Sequence, residues 1–147
     1  MWDRMTEPAR RAVWYANDEA KKLRERYVTP DHLFLGILRE EESSGRGIIT
    51  QLGGDLAALR RSLLARRTGK RVFFASAREM TPDGKRVFDI AAAEADARES
   101  GSIFLGYLLI GILEEGNSES ARLLSGAGLN GQFLRNAMAT IQEDPSL

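Results

Sequence analysis

The sequence contains two copies of one unit, and this duplication limits the possible folds more than any other feature. Residues 6–67 align with residues 81–142 without a gap. Matching runs include Gly36-Ile37-Leu38 with Gly111-Ile112-Leu113, Glu19-Ala20 with Glu94-Ala95, and Leu59-Arg60 with Leu134-Arg135. Two related units that each carry an apolar face bury those faces against each other. We therefore predict one domain over residues 1–147, with repeat one at 6–67, a linker at 68–80 and repeat two at 81–142.

Each unit has the spacing of four helices. In repeat one, apolar residues from Ala9 to Leu23 recur every third or fourth position, as on one face of a helix. Helix starts are marked by side chains that accept hydrogen bonds from the first turn. These predicted caps are Thr6, Thr29, Asp55, Thr81, Ser118 and Asn130. Strand character is limited to Val72-Phe73-Phe74, which is too short to build a sheet. We predict an all-α fold of eight helices, in two four-helix repeats related by a pseudo-twofold axis.

Two glycines lie at equivalent positions in the middle of predicted helices, Gly36 and Gly111. A glycine inside a helix is about 1 kcal/mol less favourable than alanine, so a packing reason is expected. We predict that another helix approaches closely at each glycine. The small or short residues expected to face them are Ala12 and Ala16 in repeat one and Val87 and Ala91 in repeat two.

Reactive groups and cofactor motifs are scarce. The chain has no cysteine and one histidine, which argues against zinc sites, iron–sulfur clusters and thiol nucleophiles. No complete phosphate-binding loop occurs, since the segments at Gly69 and Gly84 lack the first glycine and the hydroxyl residue. His32 follows Asp31 at a helix start, but no nucleophile is placed beside it, so a structural role is favoured. We predict a protein that is not an enzyme and has no cofactor or metal.

Charge and hydropathy indicate the cellular setting. Lys and Arg number 21, as do Asp and Glu, so bulk attraction to nucleic acid or membrane is not expected. A basic run extends from Arg60 to Arg71, which favours a solvated helix face but leaves a helical nucleic-acid-binding protein as an alternative. The apolar run Ile103–Leu113 is too short to span a bilayer, and the N-terminus lacks the apolar core of a signal peptide. We predict a cytoplasmic monomer with no membrane partner.

Two motifs resemble the N-terminal domain of Clp/Hsp100 chaperones, most closely the ClpC and ClpA branches. They are Thr6-Glu7-Pro8-Ala9-Arg10-Arg11-Ala12-Val13 and Val28-Thr29-Pro30-Asp31-His32-Leu33-Phe34-Leu35-Gly36-Ile37-Leu38. The resemblance covers essentially the whole chain, including the duplication and the linker. It implies a rigid double repeat that receives substrates and adaptor proteins for an ATP-dependent unfoldase and protease. This sequence contains no ATPase module.

In the ClpC branch, each repeat resembles a receptor for phosphorylated arginine. The resemblance implies that a threonine at a helix start faces the phosphate and that an acid before the histidine takes the guanidinium group, as helix N-termini and carboxylates can. Site one would then be Thr6 with Asp31, where glutamate is usual. Site two would be Thr81 with Gly106, which has lost the acid. We expect site two to be degenerate, and one site per chain at most.

The duplication also predicts that the first helices of the two repeats meet across the pseudo-twofold axis and form a groove. In actinobacterial relatives this groove resembles a binding site for cyclic peptide antibiotics and protein partners. Its expected lining residues here are Trp2, Met5, Arg10, Trp14, Met80, Lys85 and Asp89. Thioethers, aromatic rings and charges together suit peptide binding. The alternative is that Met5 and Met80 fill the ends of the helical bundle and bind nothing.

The predicted function is a non-catalytic recognition module of the Clp chaperone–protease system. Its expected partners are Clp unfoldase or protease subunits, adaptor proteins and substrate polypeptides. Within this class, an accessory subunit of the protease or a decoy that sequesters degrons or antibiotics remains open.

Overall fold

The computed structural model describes residues 1–67 and 79–141, and this part of the chain is almost entirely helical. The α-helices are α1 (Glu7–Lys22), α2 (Pro30–Ser44), α3 (Ile48–Gln51), α4 (Leu56–Arg66), α5 (Pro82–Ala97), α6 (Leu105–Glu115), α7 (Glu119–Gly126) and α8 (Gly131–Ile141). The all-α prediction is confirmed. A 3₁₀ turn at Trp2–Arg4 and two short strands, β1 (Tyr27–Val28) and β2 (Glu79–Met80), were not expected. The suggested strand at Val72-Phe73-Phe74 and most of the linker lie outside the described residues.

The predicted helix starts are correct because the side chains that cap them bind the first turn. Thr6 accepts a hydrogen bond from the Ala9 amide, and Thr81, at the matching position, accepts one from the Gly84 amide. Asp55, Ser118 and Asn130 cap α4, α7 and α8 in the same way. At α2, the amide of Thr29 donates to Nδ1 of His32 at 2.9 Å. The fully buried His32 is therefore part of a helix cap, as its predicted structural role requires.

The core is built from two helix pairs, α1 with α2 and α5 with α6. Within each pair, the two helices approach each other closely at the central glycine, as predicted. A β-carbon on Gly36 would lie 2.1 Å from the carbonyl oxygen of Ala12, and one on Gly111 would lie 2.4 Å from that of Val87. The two repeats meet where α2 contacts α5, α6 and α7, where α1 contacts α6 and where α4 contacts α7.

The repeats are also joined at two places that match each other in the sequence alignment. At one, β1 pairs with β2 in parallel, and the Thr81 amide donates to the Val28 carbonyl at 2.9 Å. At the other, Met5 bridges to Ile103, and the Thr6 amide donates to the Ile103 carbonyl at 3.1 Å. The start of α5 therefore lies beside the start of α2, and the start of α1 lies beside the start of α6.

Four ion pairs, two in each repeat, join the helices: in each repeat one pair connects the first helix to the second, and the other connects the first helix to the fourth. They connect acids whose side chains are largely or wholly buried to arginines at the edge, because a buried carboxylate needs a partner to offset its lost hydration. The pairs are Arg11–Glu40 at 2.8 Å with its counterpart Arg86–Glu115 at 3.5 Å, and Arg60–Glu19 at 2.6 Å with its counterpart Arg135–Glu94 at 2.8 Å.

Repeat one contains a further buried acid, Glu41, which caps α3 from the end of α2. Its carboxylate accepts hydrogen bonds from the amides of Ile49 and Thr50 and from the Thr50 hydroxyl. Burial is the main influence on this group and raises its pKa above the usual glutamate value, although these hydrogen bonds oppose the shift.

The raised pKa of Glu41 predicts how its contribution to stability changes with pH. The folded state binds the proton of Glu41 more readily than the unfolded state, so this contribution increases as pH falls through the folded pKa. It is complete below the ordinary pKa of glutamate. We therefore expect the difference in unfolding free energy between the wild type and Glu41→Gln to grow from pH 8 to pH 4 in urea titrations. The exposed neighbour provides the control, Glu42→Gln, for which a similar pH trend would contradict the assignment.

Candidate functional site

A cavity of about 480 Å³ opens on the outer face of α1, and we refer to it as the α1 cavity. Its lining comes from the N-terminal 3₁₀ turn and from successive turns of α1. The lining residues are Trp2, Glu7, Arg10, Arg11, Trp14 and Tyr15. The cavity is therefore bordered by three aromatic rings and two guanidinium groups.

Arg10 holds the aromatic wall of the α1 cavity in place. Its Nε donates to the carbonyl of Trp2 at 3.1 Å, and its Nη2 donates to the carbonyl of Asp3 at 3.1 Å. The guanidinium carbon lies 5.9 Å from the centre of the Trp2 ring, within the range of a cation–π contact. On the other side, Arg11 is fixed by Glu40. The arrangement is therefore set before any partner arrives, which reduces the entropy lost on binding.

The tryptophans of the α1 cavity are unusually open to solvent. Trp14 is 71% exposed and Trp2 is 46% exposed. These are the only two tryptophans in the chain, and both lie at this one place. Large aromatic side chains left exposed together mark interaction surfaces more often than scattered apolar residues do.

The residues expected to line a groove between the first helices of the two repeats lie in different places. Of its seven residues, Trp2, Arg10 and Trp14 line the α1 cavity, whereas Met5 is 5% exposed and belongs to the core. The other three residues lie at or beyond the end of the linker. Met80 packs against the core, and Lys85 and Asp89 are exposed on α5. Within the described residues, the repeats meet where α2 contacts α5, α6 and α7, where α1 contacts α6 and where α4 contacts α7, whereas α1 and α5 share no comparable contact.

A second concave site, the α2–α5 cleft, has a volume of about 320 Å³ and lies where the starts of α2, α5 and α7 converge. Asp31 and Thr81 both line it. The structure thus brings Asp31 together with Thr81, not with Thr6 as expected. Thr6 lies at the other junction of the repeats, where its amide binds Ile103. Both junctions contain residues from the two halves of the chain, because β1 pairs with β2 at one and Met5 pairs with Ile103 at the other.

Asp31 is already engaged within the chain. Its Oδ1 accepts hydrogen bonds from the Ser120 amide at 2.9 Å and from the Ser120 hydroxyl at 2.5 Å. Its Oδ2 accepts one from Nη1 of Arg67 at 3.0 Å. Nη2 of the same arginine binds Glu25. This network links α4 of repeat one to α7 of repeat two.

At the matching junction, Gly106 stands in the place of Asp31. A β-carbon on Gly106 would lie 2.2 Å from the sulfur of Met138. Met138 is buried and fills the space that an acidic side chain would need. The junction at Gly106 therefore differs from the α2–α5 cleft in two ways. The acid is missing, and the apolar side chain of Met138 fills the space.

The basic run was predicted to form a solvated helix face, but two of its arginines are bound within the protein. Arg60 pairs with the buried Glu19, and Arg67 is 10% exposed in its network with Asp31. Arg61 and Arg66 are exposed, and the remainder of the run from residue 68 lies outside the described residues. Two guanidinium groups that a nucleic-acid surface would need are therefore committed to internal ion pairs.

Comparison with known proteins identifies the family. The model of the Clp repeat (R) N-terminal domain matches residues 4–127. The chain belongs to this family. It is 29% identical over 140 residues to the ClpA homolog of Brassica napus, described as a chloroplastic ATP-binding subunit of the ATP-dependent Clp protease, and equally to chloroplastic ClpC1 of Oryza sativa. The match covers 92% of this chain and 15% of each relative.

Solved Clp N-domains have the same fold. The N-terminal domain of ClpD from Arabidopsis thaliana superposes with a TM-score of 0.75 at 21% identity, covering 97% of this chain and 96% of that one. The N-domain of ClpV from Vibrio cholerae superposes with a TM-score of 0.78 at 17% identity, covering 97% and 87%. A ClpV N-domain in complex with a VipB peptide superposes at 0.74, with 17% identity and coverage of 95% and 87%.

Clp N-terminal domains are non-catalytic and lack the AAA+ modules. Across residues 1–67 and 79–141, no group of three or more acidic or histidine side chains is placed to hold a metal ion. In the same part of the chain, no helix combines the length and apolarity needed to cross a membrane. The chloroplastic relatives leave the cytoplasmic location a prediction.

Sequence reasoning missed several residues that shape the two sites. Tyr15 lines the α1 cavity one position after Trp14, and it stacks under Arg39 with 4.4 Å between the guanidinium carbon and the ring centre. Glu25, Arg67 and Ser120 complete the network at Asp31. The sequence carried one indication for Arg67, which lies in the basic run, but its partner Asp31 lies on another helix. Ser120 carried none.

Proposed function

We propose that this Clp N-terminal domain captures segments of other polypeptides in the α1 cavity and passes them to a Clp unfoldase. The observation that carries the proposal is the placement of both tryptophans, exposed, around a cavity whose arginines are held in position. Tryptophan and arginine contribute most strongly to binding at protein interfaces. The mechanism is capture without chemistry: an apolar segment covers Trp14 while its backbone carbonyls accept hydrogen bonds from the cavity's arginines.

The family relationship supports this proposal. Its ClpC and ClpA relatives are named as chaperones or ATP-binding subunits of the Clp protease, and a related ClpV N-domain is known in complex with a peptide. The chain spans 15% of the length of those ClpC and ClpA relatives. Delivery to an unfoldase, an accessory role on the protease ring and sequestration as a decoy all use the same capture step.

Intrinsic fluorescence tests the capture step directly, because both tryptophans report on the α1 cavity. Titration with reduced, carboxymethylated ribonuclease A, an unfolded polypeptide that contains no tryptophan, is expected to give a saturable blue shift. The affinity should change little between 50 and 200 mM salt, since the contact is mainly apolar. Absence of a saturable shift would refute the proposal. Tighter binding to single-stranded DNA, weakening steeply with salt, would favour the nucleic-acid alternative.

A second candidate function is recognition of an arginine or phosphoarginine side chain in the α2–α5 cleft. The observation that favours it is the meeting of Asp31 and Thr81 in one cleft. A carboxylate suits a guanidinium fork, and the start of α5 suits a phosphate. Because Met138 fills the space at Gly106, we propose one such site per chain.

A further inference from the structure

The α2–α5 cleft already holds a guanidinium group, that of Arg67. This side chain is 10% exposed and extends from the last residue before the linker into the cleft. It binds Asp31 through one terminal nitrogen and Glu25 through the other. Two carboxylates on one guanidinium form a specific arrangement, because its donors point in fixed directions.

Asp31 does not depend on Arg67 for its orientation. Its other oxygen is held by the amide and hydroxyl of Ser120, on a different helix and in the other repeat. The carboxylate oxygen that faces Arg67 therefore stays directed into the cleft when the arginine is absent. Among the described residues, the cleft lining carries four carboxylates, Glu25, Asp31, Asp83 and Glu119, against two guanidinium groups, Arg67 and Arg122, so it is acidic on balance.

We propose that Arg67 is an internal ligand that keeps the α2–α5 cleft closed to the guanidinium groups of other polypeptides. The inference rests on the second candidate function, and it adds that this function is autoinhibited. An incoming arginine binds Asp31 only when it displaces Arg67. The apparent affinity for a guanidinium ligand is therefore the intrinsic affinity multiplied by the fraction of molecules in which Arg67 is out of the cleft. Release of Arg67 would open the cleft.

Chemical rescue tests this inference. Arg67→Ala leaves a space of the shape of a guanidinium group between two carboxylates and is expected to lower the melting temperature. Methylguanidinium at millimolar concentration should then raise the melting temperature of Arg67→Ala, by about 3–5 °C at ten times its Kd. It should not raise that of the wild type or of the exposed neighbour variant Arg66→Ala. Methylammonium, which has the charge without the fork, should have a smaller effect. Equal responses of all three proteins to methylguanidinium would overturn the inference.

A second variant covers the case in which Arg67→Ala does not fold. Arg67→Lys keeps the positive charge but loses the two-pronged contact. Acetyl-arginine amide should bind Arg67→Lys at least 10-fold more tightly than it binds the wild type in calorimetry. Adding Asp31→Asn should abolish that gain. Equal affinities for Arg67→Lys and the wild type would overturn the inference. Phosphoarginine separates the two proposals: if methylguanidinium rescues Arg67→Ala but phosphoarginine does not bind it, autoinhibition stands and phosphoarginine recognition is wrong.

Discussion

Replacing Gly36 with alanine is expected to lower the free energy of unfolding by about 3 kcal/mol, at the upper end of the cost of overfilling a core. The added β-carbon would lie 2.1 Å from the carbonyl oxygen of Ala12 and 2.9 Å from the amide nitrogen of Ala16. Both are backbone atoms, so no change of rotamer can relieve the overlap, and α1 must move away from α2. Urea or thermal unfolding followed by circular dichroism measures the loss.

The chain provides a matched control for this substitution. Gly126 also lies in a helix, and a β-carbon there would meet no atom within 4 Å. Gly126→Ala should be neutral or stabilising, by up to about 1 kcal/mol, because alanine is the better helix former. Gly111→Ala should behave like Gly36→Ala, since its β-carbon would lie 2.4 Å from the Val87 carbonyl oxygen. Equal stability of the Gly36 and Gly126 variants would show that the helices are not in contact at Gly36.

The helices and their close contacts could be predicted because the information for them is local and is given twice. A cap, a proline and an apolar stripe lie within one turn or two of each other, and the duplication repeats them. Gly36 could be paired with Ala12 and Ala16 because all three repeat in the second unit as residues with small or short side chains. The structure confirms each of these predictions.

The composition of the sites could not be predicted, because a duplicated sequence does not indicate whether a site forms within one repeat or between the two. Thr6 and Asp31 both belong to repeat one, and this made them partners in the prediction. The parallel pairing of β1 with β2 brings Thr81 to Asp31 instead. That pairing involves two residues in each strand, too few to give a sequence pattern.

The solvated face predicted for the basic run was wrong at Arg60 for a related reason. Glu19 and Arg60 both repeat in the second unit, as Glu94 and Arg135, so the alignment contained both ion pairs. Charged residues in amphipathic helices are usually solvated, and this general tendency favoured an exposed position. Burial of Glu19 depends on how α4 packs across α1, which is a tertiary property.

Substitution of Trp14 is the sharpest test of the α1 cavity. We expect Trp14→Ala to weaken the binding of labelled carboxymethylated ribonuclease A by about 10- to 30-fold, as for a residue at the centre of an interface. Trp14 is 71% exposed, so the substitution should change the free energy of unfolding by no more than about 0.5 kcal/mol. Fluorescence anisotropy of the labelled polypeptide measures affinity without relying on the tryptophan that has been removed.

An exposed aromatic residue elsewhere distinguishes a specific cavity from general stickiness. Phe133 is 45% exposed on α8 and does not line the α1 cavity. Phe133→Ala should therefore leave the affinity unchanged, whereas Trp2→Ala should weaken binding in the same direction as Trp14→Ala. Equal losses for Phe133→Ala and Trp14→Ala would mean that the polypeptide binds any exposed ring, and the α1 cavity would no longer be the site of capture. A loss confined to the two tryptophan variants would locate capture where Arg10 holds the Trp2 backbone and ring beside Trp14.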